Sequence, residues 1–320
     1  NKSNEVTASL ELYYQNARGL NSKTHQLYSS ASDLSFDIIL FSETWLNNSV
    51  FNNELLPCDY SITRCDRDHA RVNRSRGGGV LIAIASKYTY TVINTSFQVD
   101  IVPLIDIVLC RIRFGYLNLV LGVVYVPPDV SVADLEIFTS ALEQLLLGQD
   151  FLITGDFNIH DINCQASSQS SKSSCFQHFI NVLNIRQHNN IRNSLGRMLD
   201  LILANSDNLT ISTSHCDHPL VKEDKYHPSL SATITTMKKL KTPNCPTNNS
   251  LRYDFRKANF PQLYEALCTI DLTVLENTTN VDDCFYSNLY DLFDNYVPKK
   301  PCGKSKYPVW FSPEIKANLK

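Results

Sequence analysis

The sequence predicts an α/β protein in which two mixed β-sheets pack face to face and helices cover them. Three observations support this prediction. Strand-like segments recur through the first 235 residues, helical segments between them are few, and no internal repeat is present. Many strands with few helices between them do not fit a doubly wound parallel sheet. Mixed sheets stacked on one another fit the pattern better.

The strand-like segments are short runs rich in β-branched, aromatic and other apolar residues. Some, such as 150–156, are apolar on both faces until they end, which is typical of a strand buried on both sides. The segments lie at 10–16, 37–44, 60–65, 79–86, 88–94, 105–112, 117–126, 150–156, 199–205, 209–214 and 229–235.

Two segments between these strands have the spacing of an amphipathic helix. Residues 139–147 follow the cap-like Ser131. Residues 175–185 place Phe176 and Phe179 on one face. We expect both helices to cover a sheet.

A second region begins after a polar stretch. Residues 237–250 contain two prolines and no hydrophobic periodicity, which is typical of a linker. Beyond it, 255–268 and 281–297 are amphipathic, and a basic tail follows. We therefore expect a domain over 1–236, a linker over 237–250 and a small helical connector over 251–320. Because no leader-like segment opens the chain and its end falls within a patterned region, we expect a longer parent protein.

Composition indicates an ordinary globular protein. Hydrophobic residues make up 43% and charged residues 19% of the chain, and the longest apolar runs are too short to cross a bilayer. The ten cysteines form no CxxC pair or zinc-ligand spacing. We expect mostly reduced thiols in an intracellular protein without a membrane partner. The net charge of −3 does not by itself indicate nucleic-acid binding.

One stretch is nevertheless strongly basic. Residues 64–76 carry five arginines just before a run of glycines. A solvated loop is the default interpretation of such a stretch. Beside nuclease motifs, the alternative is an arm that contacts DNA phosphates. The arginines are Arg64, Arg67, Arg71, Arg74 and Arg76.

Polar residues stand where apolar strands end or begin: Asn16, Glu43, Tyr125, Asp156 and Asp200. One such residue is normally a cap or a turn residue. Several together are different, because strand ends of stacked sheets converge at one edge, where carboxylates repel one another unless a cation or phosphate joins them. Metal-assisted phosphodiester hydrolysis uses such a set, since Mg²⁺ takes one or two carboxylates plus water and phosphate oxygens.

Asp156 and Asn158 strengthen this interpretation. They are two positions apart at the end of an extended segment, so their side chains can point the same way, one as base and one as amide donor. A histidine would balance the charge that develops in the transition state. No GxSxG or Cys–His motif indicates a covalent route.

Several short motifs occur in a fixed order: QNARGL (15–20), SETW (42–45), RGGGV (76–80), VVYVPP (123–128), GDFN (155–158), LDLIL (199–203) and YHPSL (226–230). Over residues 10–236 the chain resembles the endonuclease–exonuclease–phosphatase superfamily. More closely, it looks like the apurinic-type endonuclease domain of non-LTR retrotransposons, in particular jockey-like insect elements. GDFN and SETW are fairly specific for the superfamily, whereas RGGGV and VYVPP favour the retroelement branch. The tail, including NYVPKK (295–300), resembles the connector to a reverse transcriptase.

The resemblance implies a four-layer α/β sandwich and a metal-dependent DNA endonuclease. Asn16 would hold a phosphate oxygen or a metal-bound water, Glu43 would ligate Mg²⁺ (or Mn²⁺), and Tyr125 would contact the scissile phosphate. The partner would be double-stranded DNA, contacted by the five arginines. Through its parent polyprotein, which would also be an RNA-directed DNA polymerase, the chain would meet element RNA and act in the nucleus.

The resemblance also implies a water-activating group and a histidine. Asp156 would orient or deprotonate the attacking water, with Asn158 steadying it. Asp200 would pair with the catalytic histidine and fix its tautomer. We assign that histidine to His227, because the closing strand follows it. His218 follows an aspartate directly, but it leaves too short a stretch after Asp200.

Two positions depart from the family pattern. Repair enzymes usually carry an acidic residue two after the first asparagine, where Arg18 stands, which points away from abasic-site repair. The family usually has Asp directly before its histidine, where Tyr226 stands, with Asp224 two residues further back. His160, just after GDFN, is expected to be a loop residue beside the site.

Two alternatives stay open. One is another phosphoesterase of the same fold, such as an abasic-site repair nuclease or a phosphatase, because loops around a site decide its substrate. The other is a decayed, domesticated binding module that has lost catalysis. Loss of a catalytic residue would indicate decay, and the predicted residues are all present.

Overall fold

A computed structural model of the chain describes residues 5–34, 36–95, 101–159, 170–238, 251–269 and 281–301. The chain divides into two compact units, Asn1–Lys239 and Leu240–Lys320. Residues 239–250 of the predicted linker, His160 and the tail from 302 onwards lie outside the described residues.

The described part of the first unit contains three α-helices and twelve strands. The helices are α1 (Thr24–Asp33), α2 (Val132–Leu146) and α3 (Ser171–Val182). Each predicted strand segment overlaps an observed strand, and the two-residue β9 is additional. The strands are β1 (Glu5–Asn16), β2 (Ile38–Ser42), β3 (Tyr60–Cys65), β4 (Val80–Ala85), β5 (Tyr90–Ile93), β6 (Asp106–Phe114), β7 (Leu117–Tyr125), β8 (Asp150–Asp156), β9 (Arg186–Gln187), β10 (Asp200–Ala204), β11 (Leu209–His215) and β12 (Leu230–Lys238).

These strands form two six-stranded sheets. The first has the order β11-β12-β1-β2-β4-β3, and the second has the order β5-β6-β7-β8-β10-β9. Both are mixed, because β1 pairs with β2 and β7 pairs with β8 in parallel. The antiparallel neighbours include β1 with β12 and β8 with β10.

The sheets stack face to face, and helices cover their outer faces. Leu40 of the first sheet and Leu152 of the second belong to one buried core between the sheets. Leu27 of α1 packs against the outer face of the first sheet. Phe138 of α2 and Phe176 of α3 cover the second sheet. The layers therefore run helix, sheet, sheet, helix, and the predicted four-layer α/β sandwich is confirmed.

The helices begin where local sequence favours it. Ser131 precedes α2 and accepts a hydrogen bond from the backbone N–H of Asp134, which satisfies one of the free donors of the first turn. Helix α1 has no side-chain cap and buries only Leu27 and Ala31. Its weak apolar pattern explains why the sequence did not predict it.

The second unit is small. It contains α4 (Phe260–Cys268), α5 (Val281–Tyr296) and an antiparallel pair of strands, β13 (Leu251–Tyr253) and β14 (Lys299–Pro301). The two helices coincide with the predicted amphipathic segments, whereas the strand pair was not predicted. Within the described ranges of the chain, every helix is too short or too polar to cross a membrane.

Candidate active site

Strand ends bring the predicted polar residues to one edge of the sandwich. In the second sheet, Asp156 is the register partner of both Tyr125 on β7 and Asp200 on β10. In the first sheet, Asn16 at the end of β1 is the register partner of Ser42 at the end of β2. Nδ2 of Asn16 donates a 2.9 Å hydrogen bond to Oδ2 of Asp156, so the two sheets meet here.

Asp156 lies at the centre of this edge, with 1% of its surface exposed. Its Oδ1 accepts the backbone N–H of Asn158 at 3.1 Å. Asn158 adopts a φ of 50°, a left-handed conformation that asparagine tolerates. Its side chain donates to the carbonyl of Val126 at 3.0 Å. Asn158 therefore steadies Asp156 through its backbone, whereas we predicted that the two side chains would point the same way.

Asp200 and Tyr14 fix the ring of His227. Oδ2 of Asp200 lies 2.9 Å from Nδ1 of His227, and Oδ1 accepts the Tyr14 hydroxyl at 2.8 Å. A carboxylate only accepts, so Nδ1 carries the proton of this contact. Nε2 of the same ring lies 3.9 Å from Oδ2 of Asp156. The ring thus presents Nε2 towards Asp156.

The charges of this cluster perturb its pKa values. Burial and the neighbouring Asp200 raise the pKa of Asp156 to about 8, although His227 opposes the shift. Burial alone would lower the pKa of His227, but the charges of Asp200, Asp156 and Asp224 outweigh it and raise the pKa to about 9. Without a further cation, the cluster therefore holds protons at neutral pH.

Glu43 and Tyr125 lie beside the cluster. Glu43 follows β2 in a left-handed conformation with a φ of 51° and is half-buried. Nε1 of Trp45 donates a 2.8 Å hydrogen bond to its Oε2. Burial and the Glu43 carboxylate, to which Tyr125 is hydrogen-bonded, raise the pKa of Tyr125. The Tyr125 hydroxyl consequently keeps its proton and can donate a hydrogen bond to an anionic oxygen.

The site suits a divalent cation. Asp156, Asp200 and His227 each offer a ligand atom, and these atoms lie within 4.8 Å of one another. Both oxygens of Asp200 and both oxygens of Asp156 accept hydrogen bonds, but each carboxylate oxygen has a second lone pair that could face a cation. The Glu43 carboxylate contributes to the raised pKa of Asp156, so its charge acts on the same place. Carboxylates gathered beside an amide are the oxygen-rich donor set that a hard cation such as Mg²⁺ or Mn²⁺ prefers.

The structure brings His227, and not His218, to Asp200. His218 is exposed, and its carbonyl accepts a hydrogen bond from Sγ of Cys216 at 3.4 Å. The backbone N–H of His227 donates to Oδ1 of Asp224 at 2.9 Å. Asp224 thus holds the histidine-bearing segment, although it does not directly precede His227.

Arg67 corrects one prediction. We expected a DNA contact, but this residue has 5% of its surface exposed and pairs with the buried Asp106 at 2.6 Å. Its guanidinium lies 5.2 Å from the ring centroid of Tyr125. A Cβ on Gly78 would lie 2.2 Å from Cζ of Arg67, so the glycine run leaves room for this pair. The Arg67 guanidinium therefore packs against the ring of Tyr125 and does not face solvent.

The other four predicted arginines lie nearer the surface. Arg64 is half-buried and donates a 2.8 Å hydrogen bond to a backbone carbonyl. Arg74 pairs with an exposed carboxylate. Arg71 and Arg76 are exposed, and the Arg76 guanidinium lies 4.0 Å from the ring centroid of Trp45. Arg71 and Arg76 are the two most accessible to a phosphate.

Sequence reasoning missed Tyr14, Trp45 and Asp106. A signal for Tyr14 existed, since it stands two positions before Asn16 in the same strand and so shares its face. Asp106 opens an apolar strand as Asp200 does. Trp45 lies within the SETW motif, but nothing in the sequence indicates that its indole reaches Glu43.

Comparison with known proteins gives a family match and two structural likenesses. Residues 13–226 match the model of the "Endonuclease/Exonuclease/phosphatase family". The endonuclease domain of TRAS1, a telomere-specific non-LTR retrotransposon, is similar with a TM-score of 0.55 and 13% identity, over 72% of this chain and 100% of that chain. The human Nocturnin catalytic domain is similar with a TM-score of 0.51 and 11% identity, over 73% and 96%. At these identities, the structures show a shared fold. No curated protein matches the chain.

Proposed function

The chain belongs to the endonuclease/exonuclease/phosphatase family, and from that membership we propose that it is a metal-dependent endonuclease that nicks one strand of duplex DNA. Membership supports phosphoester hydrolysis as the reaction class. The choice of duplex DNA as substrate rests on the retroelement-type motifs RGGGV and VYVPP and on the exposed Arg76, which stacks on Trp45 next to Glu43.

One observation carries the proposal. Asn16, Asp156 and Asp200 come from the ends of three separate strands and His227 from the loop before β12, yet they form one buried polar cluster. Buried carboxylates with few compensating charges are costly to a fold. Such a cluster is expected at a site that uses its perturbed proton affinities for chemistry.

Each residue has a role in this proposal. The charge of a bound cation would lower the pKa of Asp156 and keep this carboxylate ionised. Asp156 then orients the attacking water and accepts its proton, and the backbone N–H of Asn158 holds the carboxylate in place. His227, kept in one tautomer by Asp200, presents Nε2 to the charge that develops on the phosphate. Asn16 donates from its amide to the same side.

Tyr125 and Glu43 complete the set. Tyr125 keeps its proton and donates a hydrogen bond to an oxygen of the scissile phosphate. Glu43, with Asp156, would hold Mg²⁺ or Mn²⁺. The bound cation would polarise the phosphate and lower the pKa of water. The positive charge of the cation would also reduce the repulsion among the buried carboxylates.

We further propose that the nuclease is part of a larger parent protein. Residues 1–236 are the nuclease domain, and 251–320 connect it across 237–250 to an RNA-directed DNA polymerase of a jockey-like non-LTR retrotransposon. The nick would leave a 3′-hydroxyl from which the polymerase copies element RNA, so the protein acts in the nucleus. Support comes from the retroelement-type motifs and from the resemblance of NYVPKK (295–300) to a connector.

The alternatives fit less well. Repair nucleases of the family usually carry an acidic residue at the position of Arg18, and here Arg18 is tied to Asp224 by a 2.7 Å hydrogen bond. A decayed binding module would not need to keep three strand ends and His227 joined in a buried polar cluster.

The test uses a short DNA duplex labelled on one strand or on the other. With Mg²⁺, the proposal predicts cleavage of one strand and a product that a DNA polymerase extends without phosphatase treatment. His227→Ala is expected to lose at least about 100-fold in rate, whereas His218→Ala keeps its activity. Cleavage of both strands at one position, a product that polymerase does not extend, or loss only in His218→Ala would refute the proposal.

A further inference from the structure

A polar cavity of about 280 Å³ lies beside Glu43, within the first unit. None of the roles proposed above uses it as a site. Its volume is slightly below the roughly 300–1,000 Å³ typical of pockets for drug-sized molecules, so a phosphate with part of its sugar fits it better than a whole nucleotide. Its lining includes Arg18, Asn21, Trp45, His69, Ser75 and Arg76, and we call it the Arg76 pocket.

The Arg76 pocket is built for an anion. Two guanidinium groups line it, and no carboxylate does. Arg18 is paired with Asp224 at 2.7 Å, which partly neutralises its charge. In the described part of the chain, Arg76 has no carboxylate partner. It is exposed and instead stacks on Trp45, with 4.0 Å between its guanidinium and the ring centroid.

His69 adds an unsatisfied polar group. Its Nδ1 is buried and has no hydrogen-bond partner among the described residues. A buried polar atom without a partner costs free energy. Because this nitrogen is buried, a group in the pocket does not reach it, and the affinity of the pocket for an anion comes from its two guanidinium groups.

Trp45 connects this pocket to the proposed reacting centre. Its Nε1 donates to Glu43 at 2.8 Å, and its carbonyl accepts the Asn21 side chain at 2.9 Å. A group bound against the indole is thus one residue away from the carboxylate that would hold the cation. A polynucleotide whose scissile phosphate lies at that cation passes close to the pocket.

We infer that the Arg76 pocket binds a phosphodiester group adjacent to the one that is cleaved. The inference rests on the proposed nuclease function and assigns a binding site to a second phosphate of the DNA, which a small phosphate ester lacks. Arg76 is then a binding residue that acts on the affinity for the substrate and not on the chemical step.

The test compares two substrates and two arginine variants. Arg76→Gln removes the charge in the pocket. Arg113→Gln is the matched control, because Arg113 is also an exposed arginine. It lies near the end of β6 that is far from the site, since Arg113 pairs with Asn118 whereas Asp106, at the other end of β6, pairs with Tyr125. Hydrolysis of a DNA oligonucleotide is measured beside hydrolysis of bis(p-nitrophenyl) phosphate, which has no second phosphate. Affinity for a fluorescein-labelled duplex is measured in EDTA over a range of salt concentrations.

Arg76→Gln is expected to raise KM for the oligonucleotide about fivefold to tenfold with little change in kcat. Hydrolysis of bis(p-nitrophenyl) phosphate should stay at the wild-type level. In EDTA, the variant should weaken duplex binding and reduce the salt slope by about one. Ser75→Asp, which adds a negative charge to the lining, should weaken duplex binding in the same direction, and Arg113→Gln should match the wild type.

Equal effects of Arg76→Gln and Arg113→Gln on duplex binding would overturn the inference. So would a loss of bis(p-nitrophenyl) phosphate hydrolysis as large as the loss with DNA, since Arg76 would then act on the chemical step. Failure of the nuclease proposal gives a different result. The wild type would hydrolyse neither substrate with Mg²⁺ or Mn²⁺, while the binding measured in EDTA would still depend on Arg76.

Discussion

Arg18 donates a 2.7 Å hydrogen bond from Nη1 to Oδ2 of Asp224, and each residue stands at a departure from the usual family pattern. Arg18 occupies the place of an acidic residue. Asp224 precedes Tyr226, which occupies the place of the usual Asp before the histidine. Oδ1 of Asp224 also accepts the backbone N–H groups of Tyr226 at 2.7 Å and His227 at 2.9 Å. The two departures therefore complement each other and together hold His227.

Substituting Arg18 or Asp224 tests whether Asp224 holds the segment that carries His227. Both side chains are partly exposed, 48% for Arg18 and 29% for Asp224, so the ion pair itself is a weak contributor. We expect Arg18→Gln to lower the free energy of unfolding by less than about 1 kcal/mol. Asp224→Ala should cost about 1–3 kcal/mol, because two backbone donors lose their acceptor. Urea unfolding measures the loss in the free energy of unfolding of both variants. An equal loss in Arg18→Gln and Asp224→Ala would contradict the conclusion that Asp224 holds this segment through its backbone hydrogen bonds.

The glycine run offers a second prediction. Gly78 has a φ of 78°, and an added Cβ would lie 2.2 Å from Cζ of Arg67 and 2.6 Å from Asp106. Gly78→Ala should therefore disrupt the buried pair and lower stability by about 3 kcal/mol or more. Gly77 is the control, since it has a φ of 103° but no atom within 4 Å of its would-be Cβ. Gly77→Ala should cost only about 1 kcal/mol of backbone strain. Thermal unfolding that ranks the two equally would be inconsistent with the observed pair.

The raised pKa values predict a pH dependence. The pKa of Asp156 rises from 3.8 to about 8, and that of His227 rises from 6.5 to about 9. In both cases the folded state binds protons more tightly, so the stability gained at low pH is lost as pH rises towards the folded values. Without divalent metal, we expect the free energy of unfolding to fall from about pH 4, where Asp156 begins to ionise in the unfolded chain, to about pH 9, where His227 has lost its proton in the folded one.

The variant Asp156→Asn shows how much of this pH dependence of stability comes from Asp156. Asp156→Asn should be more stable than the wild type at about pH 8 and should show a flatter pH slope, because it has no carboxyl to ionise. Asp150→Asn, at the other end of β8, should keep the wild-type slope. Urea unfolding at several pH values without metal provides the measurement. A wild-type slope in Asp156→Asn would show that another group is responsible.

Metal binding gives a further prediction. Added Mn²⁺ or Mg²⁺ should raise Tm by about 2–5 °C, because the cation binds the folded protein and relieves the repulsion among its carboxylates. Glu43→Gln should lose most of this shift. Glu136→Gln, on the exposed face of α2, should retain it. Differential scanning fluorimetry with EDTA as the reference measures the effect, and an undiminished shift in Glu43→Gln would remove Glu43 as a ligand.

Much of the fold could be predicted from the sequence. Strands such as β8 are continuous apolar runs with sharp polar ends, and those ends identified Asn16, Asp156 and Asp200. Family membership, expected from the order of the motifs, is confirmed. Helix α1 could not be predicted, because it lacks a side-chain cap and buries only two apolar residues.

The position of Arg67 could not be predicted from its neighbours in the sequence. Arg67 lies in a basic stretch, and charge patterning alone predicts exposure. Its partner Asp106 is 39 residues away, and only the folded sheets bring the two together. The direction of the Asn158 side chain was likewise unreadable, because a left-handed φ turns it towards Val126.

Relaxation of a supercoiled plasmid tests most directly whether Asp156 carries phosphodiester cleavage. Wild type, Asp156→Ala and Asp150→Ala are compared at equal concentrations of folded protein, with Mg²⁺, with Mn²⁺ and with EDTA. We predict that the wild type and Asp150→Ala form open circles only with metal, and that Asp156→Ala is at least about 100-fold slower. Equal nicking by Asp156→Ala and the wild type, or wild-type nicking in EDTA, would contradict a metal-dependent site centred on Asp156.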